Sequence, residues 1–211
     1  MIYLYQLYIG GAVMSNELNE TLINVKTLFN SVKFSRKIER IQEEYNRISE
    51  PDIHTVIGHA LSTTSLKRFE NAIKRHTSDQ DEDFHQYLNK LMFEKDITQA
   101  TISRRSLIKG AALSRYINGS REVKKHVGFR IALSLKLNLV ETETLLRKVD
   151  KGFKETKMDA VIMESIEQGI YDVIKVEAIL HRFTNGEESL FTEREQEEFS
   201  FNDEDLEIEI L

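Results

Sequence analysis

The side chains best equipped for chemistry are cations gathered in one stretch. Between Gln99 and Arg130 stand Arg104, Arg105, Lys109, Arg115, Arg121, Lys124, Lys125 and Arg130, against a single acid, Glu122. Ammonium and guanidinium groups at this density suit a polyanion, because each can pair with a phosphate and displace a counterion. Other chemistry finds little support. The six histidines, His54, His59, His76, His85, His126 and His181, form no H-E-x-x-H or similar ligand spacing. There is no cysteine, which excludes disulfides, cysteine-ligated zinc and thiol nucleophiles. No glycine-rich phosphate loop, nucleophile elbow or paired-carboxylate motif is present. Asp81, Glu82 and Asp83 read as linker and helix-cap residues. The expectation is a protein that is not an enzyme and holds no metal or cofactor.

Spacing sharpens the reading of the cations. Leu113, Tyr116 and Ile117 fall at i, i+3 and i+4, so on a helix they share an inward face. Ala111, Ser114, Arg115 and Asn118 are left facing outward. An apolar face for docking and a slim polar face for a groove is the division a DNA-recognition helix needs. Gly110, Ala111 and Ala112 are small enough for close backbone approach, and an alanine methyl can touch a thymine methyl. Arg115 can reach a guanine edge, and Ser114 a phosphate or a base. Lys109 stands at the start of that helix. Thr98 and Gln99, opening the preceding helix, are placed to meet a phosphate at a helix N-terminus. Arg121, Lys124 and Lys125 would flank the backbone.

Five short helices must position these groups. Phe84, Leu88, Leu91 and Met92 recur at i, i+4, i+7 and i+8, the stripe of a core-facing helix. Thr98 can cap a second helix, Gln99 to Ser106. Leu107-Ile108-Lys109 is a tight connection. A third helix runs from Gly110 to Asn118, and Gly119 suits a left-handed C-cap. A fourth spans about Lys124 to Leu135. Asn138 with Glu141 makes a capping pair for a fifth, which buries Leu145, Leu146 and Val149.

Ile97-Thr98-Gln99, followed by Ala112-Leu113-Ser114-Arg115-Tyr116-Ile117-Asn118-Gly119-Ser120-Arg121, resembles the Xre/lambda-repressor-like helix-turn-helix family. The family pattern is a Thr-Gln start, then Ser-Arg, two apolar residues, and Asn-Gly before a basic loop. The resemblance covers about residues 81–149. It implies a five-helix DNA-binding domain whose recognition helix, about 110–118, enters the major groove. It further implies a bacterial or phage-type transcriptional regulator bound to double-stranded DNA as a homodimer. Leu107 departs from the pattern, which often has glycine in the turn, and Arg115 is the one long base-competent side chain on the recognition helix. Met158-Asp159-Ala160-Val161-Ile162, Gly169-Ile170-Tyr171-Asp172-Val173 and Glu187-Glu188-Ser189-Leu190 look like a helical extension that follows such domains.

The remainder is organised around this unit. The chain has 211 residues, 40% hydrophobic and 30% charged, with one proline and nine glycines. So few breakers argue for an all-α fold. Residues 15–50 read as one helix, with Leu22, Ile23, Val25, Leu28, Phe29 and Val32 at helical spacing, then Ile38, Ile41 and Tyr45. Pro51 ends it. A second stretch runs from Ile53 to about His76, and 77–81 form a polar linker. The expected domains are therefore a helical region at 14–80, the helix-turn-helix at 81–149 and a helical extension at 150–190. Residues 1–13 lack the basic start of a signal peptide and are too short to span a bilayer. Ile9-Gly10-Gly11 can be encoded by a ribosome-binding site, with Ala12-Val13 as spacer, so translation is expected to begin at Met14 and 1–13 to be non-native leader. A cytoplasmic location without membrane contact follows as an expectation.

The net charge is −6, because residues 187–211 carry eleven acids against Arg194. The expectation for 191–211 is a disordered, solubilising tail. The alternative is an acidic arm that docks on the basic face in competition with DNA, or that binds a partner protein. For the whole chain the alternative to a regulator is a protein-interaction module, such as an antitoxin or phage-defence accessory. It would use the two-helix unit as a scaffold, with a partner met through the N-terminal helices or the tail.

Overall fold

The structure is a computed structural model that describes residues 12–49 and 82–199. The described residues are all-α, with no strand among them. The helices are α1 (Ala12–Phe29), α2 (Lys33–Ser49), α3 (Phe84–Glu94), α4 (Gln99–Ser106), α5 (Gly110–Ile117), α6 (Lys125–Ser134), α7 (Leu139–Arg147), α8 (Lys157–Glu167), α9 (Val173–Thr184) and α10 (Glu193–Phe199). The expected leader up to residue 11, the helical stretch from Ile53 to His76 and the linker at 77–81 lie outside the described residues.

Among the described residues two cores share two helices, α6 and α7. The first joins α3 to α7 through Phe84, Leu88, Ile102, Leu113, Ile131 and Leu145. The second joins α1, α2, α8 and α9 through Val25, Phe34, Ile41, Val161, Val176 and Leu180. Every residue of α6 from Val127 to Ser134 is buried. Val127 and Ile131 point into the first core, and Phe129 and Leu133 into the second. A helix that is apolar most of the way round must be covered on all sides, and α6 is covered because it lies between the cores. On α7 the neighbours Leu145 and Leu146 divide in the same way.

Local chemistry sets the helix ends. The Asn138 side chain accepts from the Glu141 amide at 2.9 Å, and Glu141 accepts from the Asn138 amide at 2.8 Å, so α7 opens with a full capping box. Thr156 caps α8 through the Asp159 amide, and Asp172 caps α9 through the amides of Ile174 and Lys175. Gly119 sits at φ +72°, and a Cβ there would come within 2.9 Å of the His85 ring. Glycine is needed at that point both for its conformation and for the approach of α3.

Two expectations are corrected. The single helix at 15–50 is two helices, α1 and α2, broken at Asn30–Val32. The Ser31 hydroxyl donates to the Leu28 carbonyl at 2.8 Å, offering the backbone an alternative to the helical ladder. The break turns Phe34 inward, 5.8 Å from the Phe29 ring, and leaves Val32 exposed; Ile23, within α1, is also exposed rather than on the core stripe. Second, the acidic tail read as disordered is helical from Glu193 to Phe199; residues 200–211 lie outside the described residues.

The N-terminal pair belongs with the C-terminal extension. Besides the shared core, Lys37 pairs with Glu164 at 3.5 Å and Glu167 at 2.5 Å, and Lys175 with Glu17 at 3.1 Å. Arg182 donates to the Asn19 side chain at 3.2 Å.

Candidate nucleic-acid interface

Helices α4 and α5 meet through a three-residue turn, Leu107-Ile108-Lys109. Ile108 is buried in the first core, and its carbonyl accepts from the Ser103 hydroxyl at 2.7 Å. Leu107 lies in the left-handed region at φ 56°, ψ 22°. An L side chain resists that conformation, so other contacts must hold it. They come from Arg130 on α6. Its Nε donates to the Ser106 carbonyl at 2.9 Å and its Nη2 to the Leu107 carbonyl at 2.8 Å. The guanidinium fork thus satisfies the carbonyls that the end of α4 leaves free.

With the turn fixed, α5 presents two faces. Leu113 and Tyr116 are buried, and Ile117 is half-buried. Gly110, Ala111, Arg115 and Asn118 are exposed, and Ser114 is half-buried. The Arg115 Nε donates to the Ala111 carbonyl at 3.3 Å, which lays the side chain along the exposed face. The far end of α5 is tied to α3, where Asn89 donates to the Ile117 carbonyl at 3.2 Å.

The structure brings most of the sequence-predicted residues together. Thr98 is the exposed N-cap of α4 and accepts from the Thr101 amide at 3.3 Å. Gln99 donates to the Gly110 carbonyl at 3.2 Å, so the N-termini of α4 and α5 are neighbours. Lys109 is the exposed N-cap residue of α5. Arg121 is exposed, with its guanidinium 5.3 Å from the Tyr116 ring centre, and Lys124 is exposed at the N-cap of α6.

Lys125 departs from the expected arrangement. Its ammonium pairs inward with the buried Asp159 at 2.6 Å and lies 5.4 Å from the Phe129 ring centre. Burial raises the Asp159 carboxyl above its ordinary value, against the pull of Lys125. The pair joins α6 to α8. Arg130 likewise leaves the basic surface, with a side chain of zero exposure. Six of the eight cations in the basic segment are therefore exposed: Arg104, Arg105, Lys109, Arg115, Arg121 and Lys124.

Two acids of α10 complete the site, and sequence reasoning did not assign either. Glu195 accepts from Arg130 Nη1 at 3.0 Å, and Glu198 accepts from Lys109 at 2.6 Å. Burial pushes the Glu195 carboxyl up, but the Thr192 amide and Arg130 outweigh it and hold the group below its ordinary value. The guanidinium of Arg130 also lies 4.3 Å from the Phe191 ring centre, which presses the start of the tail onto α6. Acids three apart, opposite two cations of the basic segment, are the sequence signal that was available.

Elsewhere, a groove of about 450 Å³ lies between α2, α7 and α8, lined by Glu44, Ile48, Leu139, Ile166 and Tyr171. It contains none of the sequence-predicted site residues. Among the described residues no cluster of three or more His, Asp or Glu could hold a metal, and no helix is long and apolar enough to cross a membrane. No protein-family model matches the chain, and neither the curated proteins nor the solved structures yield a match.

Proposed function

We propose that the chain is a DNA-binding transcriptional regulator of bacterial or phage type, with a lambda-repressor-like helix-turn-helix over about 81–149. The observation that carries the reading is the division of α5: Leu113 and Tyr116 are buried while Gly110, Ala111 and Arg115 are exposed beside Lys109. A face of small residues with one long cation suits close approach to the floor of a major groove. Arg115 then reads a base edge. Thr98 and the amides at the start of α4 meet a phosphate, and Arg121 and Lys124 meet the flanking backbone. Lys125 is left out of this set, since it pairs with Asp159. Two protomers would set two such helices about one helical turn apart on a palindromic site.

One observation favours a second reading, a protein-interaction module with the same unit as scaffold. Arg115 is the one long cationic side chain within α5 itself, and Lys109 beside it is paired with Glu198. Titration of the purified chain with random-sequence duplex DNA at rising salt separates the two. A regulator loses affinity steeply, with a slope of about −0.9 per phosphate contact. An interaction module shows no binding at low salt.

A further inference from the structure

We propose that α10 is an autoinhibitory arm whose distal acid, Glu198, pairs with Lys109 at the N-terminus of α5 and must release it before nucleic acid binds there. The inference rests on the DNA-binding reading above.

The arm has a fixed root. Leu190 and Phe191 are buried. The Glu177 carboxylate accepts from the Leu190 amide at 2.8 Å and from the Ser189 hydroxyl, which fixes the chain just ahead of α10. Thr192 and Glu195 then close the first turn on each other, through the Thr192 amide at 3.0 Å and the Glu195 amide at 3.3 Å. Arg130 holds Glu195 from below. The root therefore aims the helix towards the turn between α4 and α5.

The distal turn is held by much less. Glu195 and Glu198 are three apart and so lie on one side of the helix. Glu198 meets Lys109 at 2.6 Å, with both side chains largely in water, 45% and 65% exposed. Such a pair contributes little to stability, so a ligand with several phosphates can displace it. The arrangement is also matched in polarity. Glu198 sits in the last turn of α10, where a helix carries partial negative charge, and Lys109 stands at the first turn of α5, where a helix carries partial positive charge. A carboxylate there takes the position a DNA phosphate would need, and one ammonium cannot serve both fully. Glu193 and Glu197 on the same helix are exposed and form no ion pair among the described residues, so the masking charge is specific to one side of the arm.

The test compares Glu198→Lys with Glu197→Lys in the full chain, by anisotropy of labelled random-sequence duplex DNA at low salt. Both substitutions change the net charge equally and fall on exposed residues, so long-range attraction to DNA is matched, and the hydrogen-exchange check below separates release of the arm from the local effect of a charge beside Lys109. Glu198→Lys sets a like charge against Lys109 and should bind about two- to fivefold tighter than Glu197→Lys, the range of one exposed ion pair. Equal affinities would overturn the arm while leaving the DNA-binding reading intact. If no form of the chain binds, the DNA-binding reading falls and the arm with it. Hydrogen exchange in the wild type gives a second check. Amides of 193–199 should exchange faster once DNA is added, and unchanged protection in the bound state would contradict displacement.

Discussion

At Leu107 a residue that disfavours the left-handed region occupies it, at a cost of about 1–2 kcal/mol relative to an ordinary helical conformation. Glycine would avoid that cost. What compensates is distant in sequence. Leu107 packs against the second core, and Arg130 donates to the carbonyls of Ser106 and Leu107. In the sequence Arg130 reads as one more cation of the basic segment; the apolar residues around it, Val127, Phe129, Ile131 and Leu133, hint at burial, but its acidic partner lies 65 residues further on. Residue type shows that a charge exists but not which way it points, and the same applies to Lys125 and Asp159. Arg130→Met should destabilise the chain by about 3 kcal/mol in a denaturant melt, since it leaves Glu195 and two backbone carbonyls without their donor. A loss below about 1 kcal/mol would mean that the turn is held by packing alone.

Helices are where the sequence was most legible. The starts of α4, α5 and α7 fall where Thr98, Gly110 and Asn138 point, because caps and apolar periodicity are local signals. The break between α1 and α2 was not legible. Asn30 and Ser31 favour caps and turns, but two such residues do not by themselves end a helix, and the apolar rhythm continues across them. It forms because Phe34 is drawn into the core beside Phe29. Helix α10 was missed for the opposite reason: its sequence is dominated by acids, and the anchor of its first turn is Arg130, on another element. The Asn138 capping box gives a test at this scale. Asn138→Ala should cost about 1 kcal/mol, read from the melting midpoint, because it removes the acceptor for the Glu141 amide.

The described residues form two helical cores joined through α6 and α7, so the extension and the N-terminal pair are folded against the candidate DNA-binding unit. The sequence divided the chain into consecutive regions. It could not show that α1 and α2 cross to pack on α8 and α9, since helix pairing between distant segments leaves no local mark. One consequence is a dependence on pH centred on α6. Burial, then the charge of Arg130, holds His126 below its ordinary 6.5. The unfolded chain therefore binds more protons than the folded one as pH falls through that region. The stability contributed by neutral His126 is full above about 6.5 and declines as pH drops towards the lowered folded value. Between pH 7.5 and 5.5 the wild-type melting temperature should fall more than that of His126→Gln, and equal falls would contradict the assignment.

If the exposed face of α5 with Lys109 binds DNA, as proposed, affinity for genomic DNA fragments at two salt concentrations reveals it. The wild-type chain is compared with Lys109→Ala, Arg115→Ala. Both side chains are exposed, so the fold should be retained. Salt-sensitive binding by the wild type is expected. The double variant should lose about 1–3 kcal/mol from Arg115 and about one unit of salt slope from Lys109. Binding that is absent, or indifferent to both residues, would contradict the proposal.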